Sequence, residues 1–419
     1  MKKLIPMLVA ASGLSALATP VVENVTVEQD NNCRVTVTYD LVGEDAVVTA
    51  DVFTNGVSIG AAHLTHMDGD VNRLVKAATG KKFVWRPFKA WPSHAGQKES
   101  IQVEVKAWSK ASPPDYMVVG LAVTNYVRYY ASSNTVPKGI TDDLYKTEFL
   151  LLRRIPAGGV EWRMGSPTGE KGRVSSREKA HLVKLAEDFY IGVYEFTQRQ
   201  YELLMGTVSP AYFNDTYNSE NATRPVEQVA FMYIRDSGAW PTNPDPSSGT
   251  VIANLRARTG VDSFDLPLEA QWEFACRAGC GAALYSGKEL DDAVVSTNLN
   301  ALARYKGHGG YVDGTTEPPA TCSPDNGTAK VGSFAPNGYG LYDMLGNLWE
   351  ACRDYYADDN TGAGIDPEKG PMSGTTRVKR GGTWDGTADA VRSAVRGDAS
   401  FGAAYKNVGF RVMCGATAE

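Results

Sequence analysis

Apolar and β-branched residues fall on every second position in "RVTVTYDL", "AVVTADVFTNG" and "IQVEVKAWSK", between Arg34 and Lys110. Alternate side chains of a strand point to opposite faces, so this period predicts half-buried β-strands. "TNG", at Thr54 to Gly56, is a turn signal inside that region. No stretch before Pro113 carries the helical period over a long span. The pattern predicts an antiparallel β-sandwich of immunoglobulin or fibronectin type over residues 19–112. The prolines of "SKASPPDY" (Ser109 to Tyr116) cannot continue a central strand and mark a boundary. "YMVVGLAVTNYVRYY" follows, apolar and strand-like, and is expected to cross between domains within a connector over 113–144. From Tyr145 onward aromatics and glycines become dense and helices few. "TQRQYELLMG" (Thr197 to Gly206) reads as a helix with a threonine start and a glycine stop. "LPLEAQWEFACRAG" (Leu266 to Gly279) reads as a second, opened by proline and closed by glycine.

The chain has 419 residues, too many for one ordinary core, which agrees with that division. Hydrophobic residues at 43% and charged residues at 21% fit a soluble globular protein. A net charge of −6 argues against nucleic acid as partner. Lys2 and Lys3, the apolar "LIPMLVAASGL" and the small residues Ala16, Leu17 and Ala18 read as a cleaved signal peptide over 1–18. No later run is long and apolar enough for a membrane span. The mature protein is therefore expected to be secreted or periplasmic. The six cysteines (Cys33, Cys276, Cys280, Cys322, Cys352 and Cys414) would then meet conditions where disulfides persist. Cys276 and Cys280 lack the second close pair or nearby histidine that a zinc site needs.

Several distinctive stretches follow one another between Arg154 and Cys414: "IPAGGVEWRMGSP", "EKAHLVKLAEDFYIGVYEFTQRQY", "RPVEQVAF", "LPLEAQWEFACRAG", "PNGYGLYDMLGNLWEACRDYY", "RVKRGGTW", "RSAVR" and "VGFRV". Together they resemble the formylglycine-generating enzyme family, also called the sulfatase-modifying factor family. The resemblance implies a C-type-lectin-like fold with a twisted β-core, two main helices and much irregular loop. The expected class is therefore α+β: a small all-β sandwich, then a C-type-lectin-like domain over 145–416. Trp272, Phe274, Tyr342, Trp349 and Trp384 supply the large apolar areas that a loop-rich fold needs. Arg392, Arg396 and Arg411 are expected to pair with buried carboxylates such as Glu269, Glu273 or Glu350.

The family's enzyme oxidises a substrate cysteine with copper held by two thiolates a few residues after the "GGTW" turn. Here Gly386 stands at the first position, and the second falls in a gap near Asp389 to Val391. Neither glycine nor aspartate replaces a thiolate for Cu(I), so no copper and no oxidase activity are expected. A family branch with iron on three histidines finds no matching cluster among His63, His66, His94, His181 and His308. Calcium is the cofactor that the resemblance leaves. Its ligands would be the Asp343 side chain, the Gly346 and Leu348 carbonyls and the Glu350 carboxylate. A second site would use Asn298 and the Leu299 carbonyl. Residues Asp385 to Tyr405 contain no Lys, Glu, Gln, Met or Trp. Codons with two randomised bases and a pyrimidine third cannot encode those five types, and variable proteins of diversity-generating retroelements resemble this fold. The function expected is binding of an extracellular or envelope ligand or partner, through Trp384, Asp385, Asp389, Asp398, Phe401 and Tyr405. The alternatives are a family enzyme and a diversified receptor. A Cys280–Cys322 bridge is also expected, between glycine- and proline-rich segments.

Overall fold

The computed structural model describes residues 19–94, 101–213, 222–236, 244–311, 326–361 and 368–418. The signal-peptide expectation over 1–18 and Cys322 lie outside the described residues. The strands before Pro113 are β1 (Val21–Gln29), β2 (Val35–Val42), β3 (Ala46–Thr54), β4 (Val57–Ser58), β5 (Met67–Gly69), β6 (Arg73–Val75), β7 (Ala78–Trp85) and β8 (Ile101–Ser109). A single turn of helix, α1 (Pro87–Ala90), follows β7. One sheet runs β1-β2-β7-β5, and the other runs β4-β3-β6 with β8 paired to β3. Val35, Val37, Tyr39 and Leu41 of β2 share one core with Ala46, Val48, Ala50 and Val52 of β3 and with Phe83 and Trp85 of β7. The period of two in the sequence is the inward face of this sandwich.

The expected connector belongs to the second domain. "YMVVGLAVTNYVRYY" does not cross; it folds as the hairpin β9 (Tyr116–Gly120) and β10 (Val127–Tyr130). β9 then pairs with β11 (Phe149–Ile155), in a sheet continued by β14 (Phe189–Gly192) and β19 (Met413–Gly415) in the order β10-β9-β11-β14-β19. All five residues of β9 are buried, as a near-continuous apolar run in a central strand requires. The same hairpin joins the domains. The Tyr129 amide donates to the Asn72 carbonyl at 2.8 Å, and Val47 packs with Met117, Val119 and Tyr129.

Further along come β12 (Glu161–Met164) paired with β13 (His181–Lys184), then β14 (Phe189–Gly192). Helix α2 (Gln198–Met205) opens on a Thr197–Gln200 capping box and closes on Gly206, at φ 68°. The one-turn α3 (Phe231–Ile234) precedes α4 (Val251–Thr259), which the sequence reading missed although Thr250 and Gly260 cap it. Helix α5 (Glu269–Arg277) follows Pro267 as expected, but Ala278 takes the left-handed cap position ahead of Gly279. A last sheet runs β17-β16-β15-β18, from β15 (Trp349–Tyr355), β16 (Thr376–Arg380), β17 (Arg396–Ser400) and β18 (Val408–Gly409). β19 (Met413–Gly415) returns to β14. No helix among the described residues is long and apolar enough to cross a membrane.

Buried arginines tie the loops down. Arg396 pairs with Glu269, Arg380 with Glu273, and Arg411 with Glu350 at 2.6 Å. Arg392 departs from expectation: it grips Glu178 at 2.9 Å and Glu170, both in the 167–178 loop. Each pair joins segments far apart in sequence, and removing one partner leaves a buried charge uncompensated, at a cost of about 3–5 kcal/mol.

Candidate functional site

β16 ends at Arg380, and the chain reverses through Gly381 and Gly382, at φ 95° and 79°. A Cβ on Gly382 would lie 2.3 Å from the Ala390 carbonyl oxygen, so only glycine fits there. The turn drives Trp384 inward. Its ring is fully buried, crosses Phe213 at 5.2 Å and 76°, and meets Tyr311 at 5.9 Å. Its indole N–H donates to the Lys406 carbonyl at 3.3 Å. Trp384, expected on the ligand face, is therefore the floor beneath that face. Gly386 closes the next turn: its amide donates to Thr383 at 3.0 Å and its carbonyl accepts from the Lys306 amide at 2.9 Å.

Over this floor lies a surface drawn from five separate segments, around residues 212, 306–311, 349, 379–385 and 405–407. The Lys306 ammonium sits 4.7 Å above the Tyr311 ring. That of Lys406 lies 5.4 Å from Tyr212 and 5.7 Å from Trp384. That of Lys379 lies 5.3 Å from Trp349 and 5.7 Å from Tyr405. Asp385 accepts from the Asn407 amide at 3.1 Å on both oxygens, and the Asn407 carbonyl accepts from the Trp349 amide at 3.0 Å. Asp385, Tyr405 and exposed Asp398 therefore share one neighbourhood around Lys379, whose ammonium burial pushes below its ordinary value while the two carboxylates act the other way. Two expected residues stand apart. Asp389 accepts from Thr387 at 2.6 Å and packs against Gly172. Phe401 turns inward against Phe231 and Tyr355, at 6.1 and 5.9 Å, with the Arg377 guanidinium 5.0 Å from its ring. The three lysines and Tyr212, Tyr311 and Trp349 were not legible as a site, because no motif links them.

Beneath the surface, Glu227 is fully buried. It accepts from the Tyr212 and Phe213 amides, each at 2.9 Å. Burial pushes its carboxyl up to about 7, against those two amides and nearby Lys406.

The expected calcium ligands occupy the same core. Glu350 accepts from Arg411 through both oxygens at 2.6 Å, and from the Trp272 indole at 2.6 Å. Asp343 accepts from the Gly332 amide at 2.6 Å through one oxygen, while its other oxygen is buried without a hydrogen-bond partner. Burial pushes Asp343 up to about 6. Gly346 is at φ 73°, and the Leu348 amide donates to Glu195 at 3.1 Å. Glu195, fully buried beside Asp343 and Glu350, is held well above the usual carboxylate range, chiefly by burial. Of the expected set, Asp343 offers the free carboxylate oxygen. Asn298 is held by its own loop, donating to the Glu289 carbonyl at 3.0 Å, and Leu299 is buried. No group of three or more His, Cys, Asp or Glu side chains among the described residues is arranged to hold a metal. Cys280 is half-buried with its sulfur 3.4 Å from the Leu284 carbonyl; its expected partner Cys322 lies outside the described residues. Cys276 and Cys352 are buried thiols, and burial raises the first to about 12.

Several known proteins are similar to this chain. The formylglycine-generating enzyme of Thermomonospora curvata is 39% identical over 125 residues, 28% of this chain and 38% of that protein. The mouse (Mus musculus) formylglycine-generating enzyme is 32% identical over 151 residues, covering 35% of this chain and 38% of that one. The serine/threonine-protein kinase pkn1 of Chlamydia pneumoniae is 35% identical over 277 residues, covering 64% and 38%. The chain thus spans well under half the length of these relatives. Among solved structures, Treponema denticola variable protein 1 is 28% identical at a TM-score of 0.47, covering 64% of this chain and 95% of that one. PvdO from Pseudomonas aeruginosa is 24% identical at 0.48, covering 64% and 94%. The family profile described as the sulfatase-modifying factor enzyme 1-like domain matches residues 152–416, well over half of the chain, and the chain belongs to that family.

Proposed function

We propose that the protein is an exported, partner-binding member of its family without the copper oxidase chemistry, and that the surface over Trp384 is its binding face. One observation carries the reading. The turn that bears thiolates in the family is closed here by Thr383, Gly386 and Lys306, and aromatic-backed lysines surround it. No thiol stands between Cys352 and Cys414 to serve Cu(I). The leading sandwich, read as immunoglobulin-like, acts as a spacer. A fixed face is favoured over a diversified one, because Arg392 and Arg396, inside the biased stretch, are buried and ion-paired. Randomising them would break the core.

Calcium belongs to this reading as a structural ion. The orphaned oxygen of Asp343 fits a hard cation, with the Gly346 and Leu348 carbonyls as its neighbours in the motif. The Glu350 side chain does not fit, being committed to Arg411 and Trp272. Such an ion would favour the ionised forms of Asp343 and Glu195, whose carboxyls burial holds above their ordinary range.

The test of the central claim is direct. The purified protein is incubated with copper, oxygen and a sulfatase-motif peptide, and formylglycine is measured by mass spectrometry. We expect none above the protein-free control. Formylglycine above that control overturns the reading.

A further inference from the structure

We propose that this face binds a carboxylate-bearing polypeptide segment, with Lys306, Lys379 and Lys406 meeting acidic side chains spaced along it. The inference rests on the binding reading above and names its ligand class. Four lysines elsewhere are ion-paired, Lys146 and Lys330 with Asp143, Lys179 with Asp359 and Lys106 with Glu104, while others such as Lys81 and Lys184 stand without a pair and without a ring beneath them among the described residues. The three on this face have no carboxylate oxygen within 4.0 Å among the described residues. Each is instead held over an aromatic ring. A cation held this way is positioned before the ligand arrives, which lowers the ordering cost of binding.

The arrangement separates ligand classes. No ring carries two of the ammonium groups, so each lysine has an aromatic support of its own. A phosphate or sulfate group favours the arginine fork, which this face lacks among the described residues. The Tyr212, Tyr311, Trp349 and Tyr405 rings each bear an ammonium group, so their covered faces cannot stack on a sugar. A peptide chain with acidic residues places separate carboxylates at separate lysines and packs its apolar atoms against ring edges. Asp385 and exposed Asp398 flank Lys379 and repel an acid placed out of register.

The full-length protein is titrated into a fluorescein-labelled oligoglutamate peptide, read by fluorescence anisotropy at low and high salt. We expect saturable binding that weakens with salt, and a loss of about tenfold or more in a Lys379→Ala, Lys406→Ala double variant. Lys330→Ala, whose lysine is paired with Asp143 elsewhere, should bind as wild type. Absence of binding at low salt, or undiminished binding by the double variant, overturns the ligand class. So does an alginate oligosaccharide or inorganic phosphate that displaces the peptide at lower concentration than unlabelled oligoglutamate. The formylglycine assay fails or passes independently of all these outcomes, so the two claims fall separately.

Discussion

Arg411 holds Glu350 through two parallel contacts of 2.6 Å while its remaining donors reach the Gly192 and Tyr342 carbonyls at 2.9 Å. One guanidinium thus fastens the end of β14, the Tyr342 segment and β15 to the 410–412 stretch between β18 and β19, around the fully buried Arg411–Glu350 pair. A bidentate arginine is needed because a lysine would present one point charge and leave carbonyls unmet.

Glu350→Ala should therefore destabilise the protein severely, by about 3–5 kcal/mol, because it strands the Arg411 charge. Arg411→Lys should recover only part of that loss. Urea unfolding followed by circular dichroism measures both; a Glu350→Ala protein as stable as wild type would remove the pair from the account.

Calcium should raise the melting temperature of the wild type, since a ligand that binds only the folded state at a hundredfold excess over Kd adds about 2.7 kcal/mol. Asp343→Asn should abolish the rise, and it avoids the uncompensated arginine that Glu350→Ala would create. An equal rise in the variant, or none in the wild type at millimolar calcium, counts against the site.

Stability should fall as pH rises from about 4 to about 8. Burial lifts the folded-state values of Asp343 to about 6, Glu227 to about 7 and Asp354 to about 8, all above their unfolded values. The folded state then holds these protons more tightly than the unfolded one. The stabilisation is complete below the unfolded values and is lost through the folded ones. Melting curves across this range, without calcium, test it. Glu227→Gln should flatten the part of the slope near neutrality, and an unchanged slope would show that Glu227 does not titrate there.

Phe401→Ala and Tyr405→Ala should behave differently. Phe401 packs on Phe231 and Tyr355, so its loss should cost about 2 kcal/mol of stability, below the ~3–5 of a fully buried phenylalanine. Tyr405 is half-buried beneath Lys379, so its loss should spare folding and weaken oligoglutamate binding by more than about 1 kcal/mol. Thermal melts and anisotropy separate the two; the reverse pattern would place Phe401 on the face and Tyr405 in the core.

Local rules alone determined much of this protein. Alternation from Val35 to Leu41 wrote the sandwich, and the Thr197 cap with Gly206 bounded α2. The ordered motifs from Arg154 to Cys414 carried the family, and the glycine at position 386 excluded a thiolate there. These features are read from neighbouring residues, whose spacing the backbone fixes. Tertiary structure decided the rest. It paired the 116–130 hairpin with β11 where a crossing was expected, because strand pairing is a long-range choice. It gave Arg392 to Glu170 and Glu178 and not to the helix glutamates. It sent Trp384 and Phe401 inward and gathered Lys306, Lys379 and Lys406 from three segments over one set of rings. Contacts between residues far apart in sequence leave no periodic trace, so a face assembled from them becomes visible only once the chain is folded.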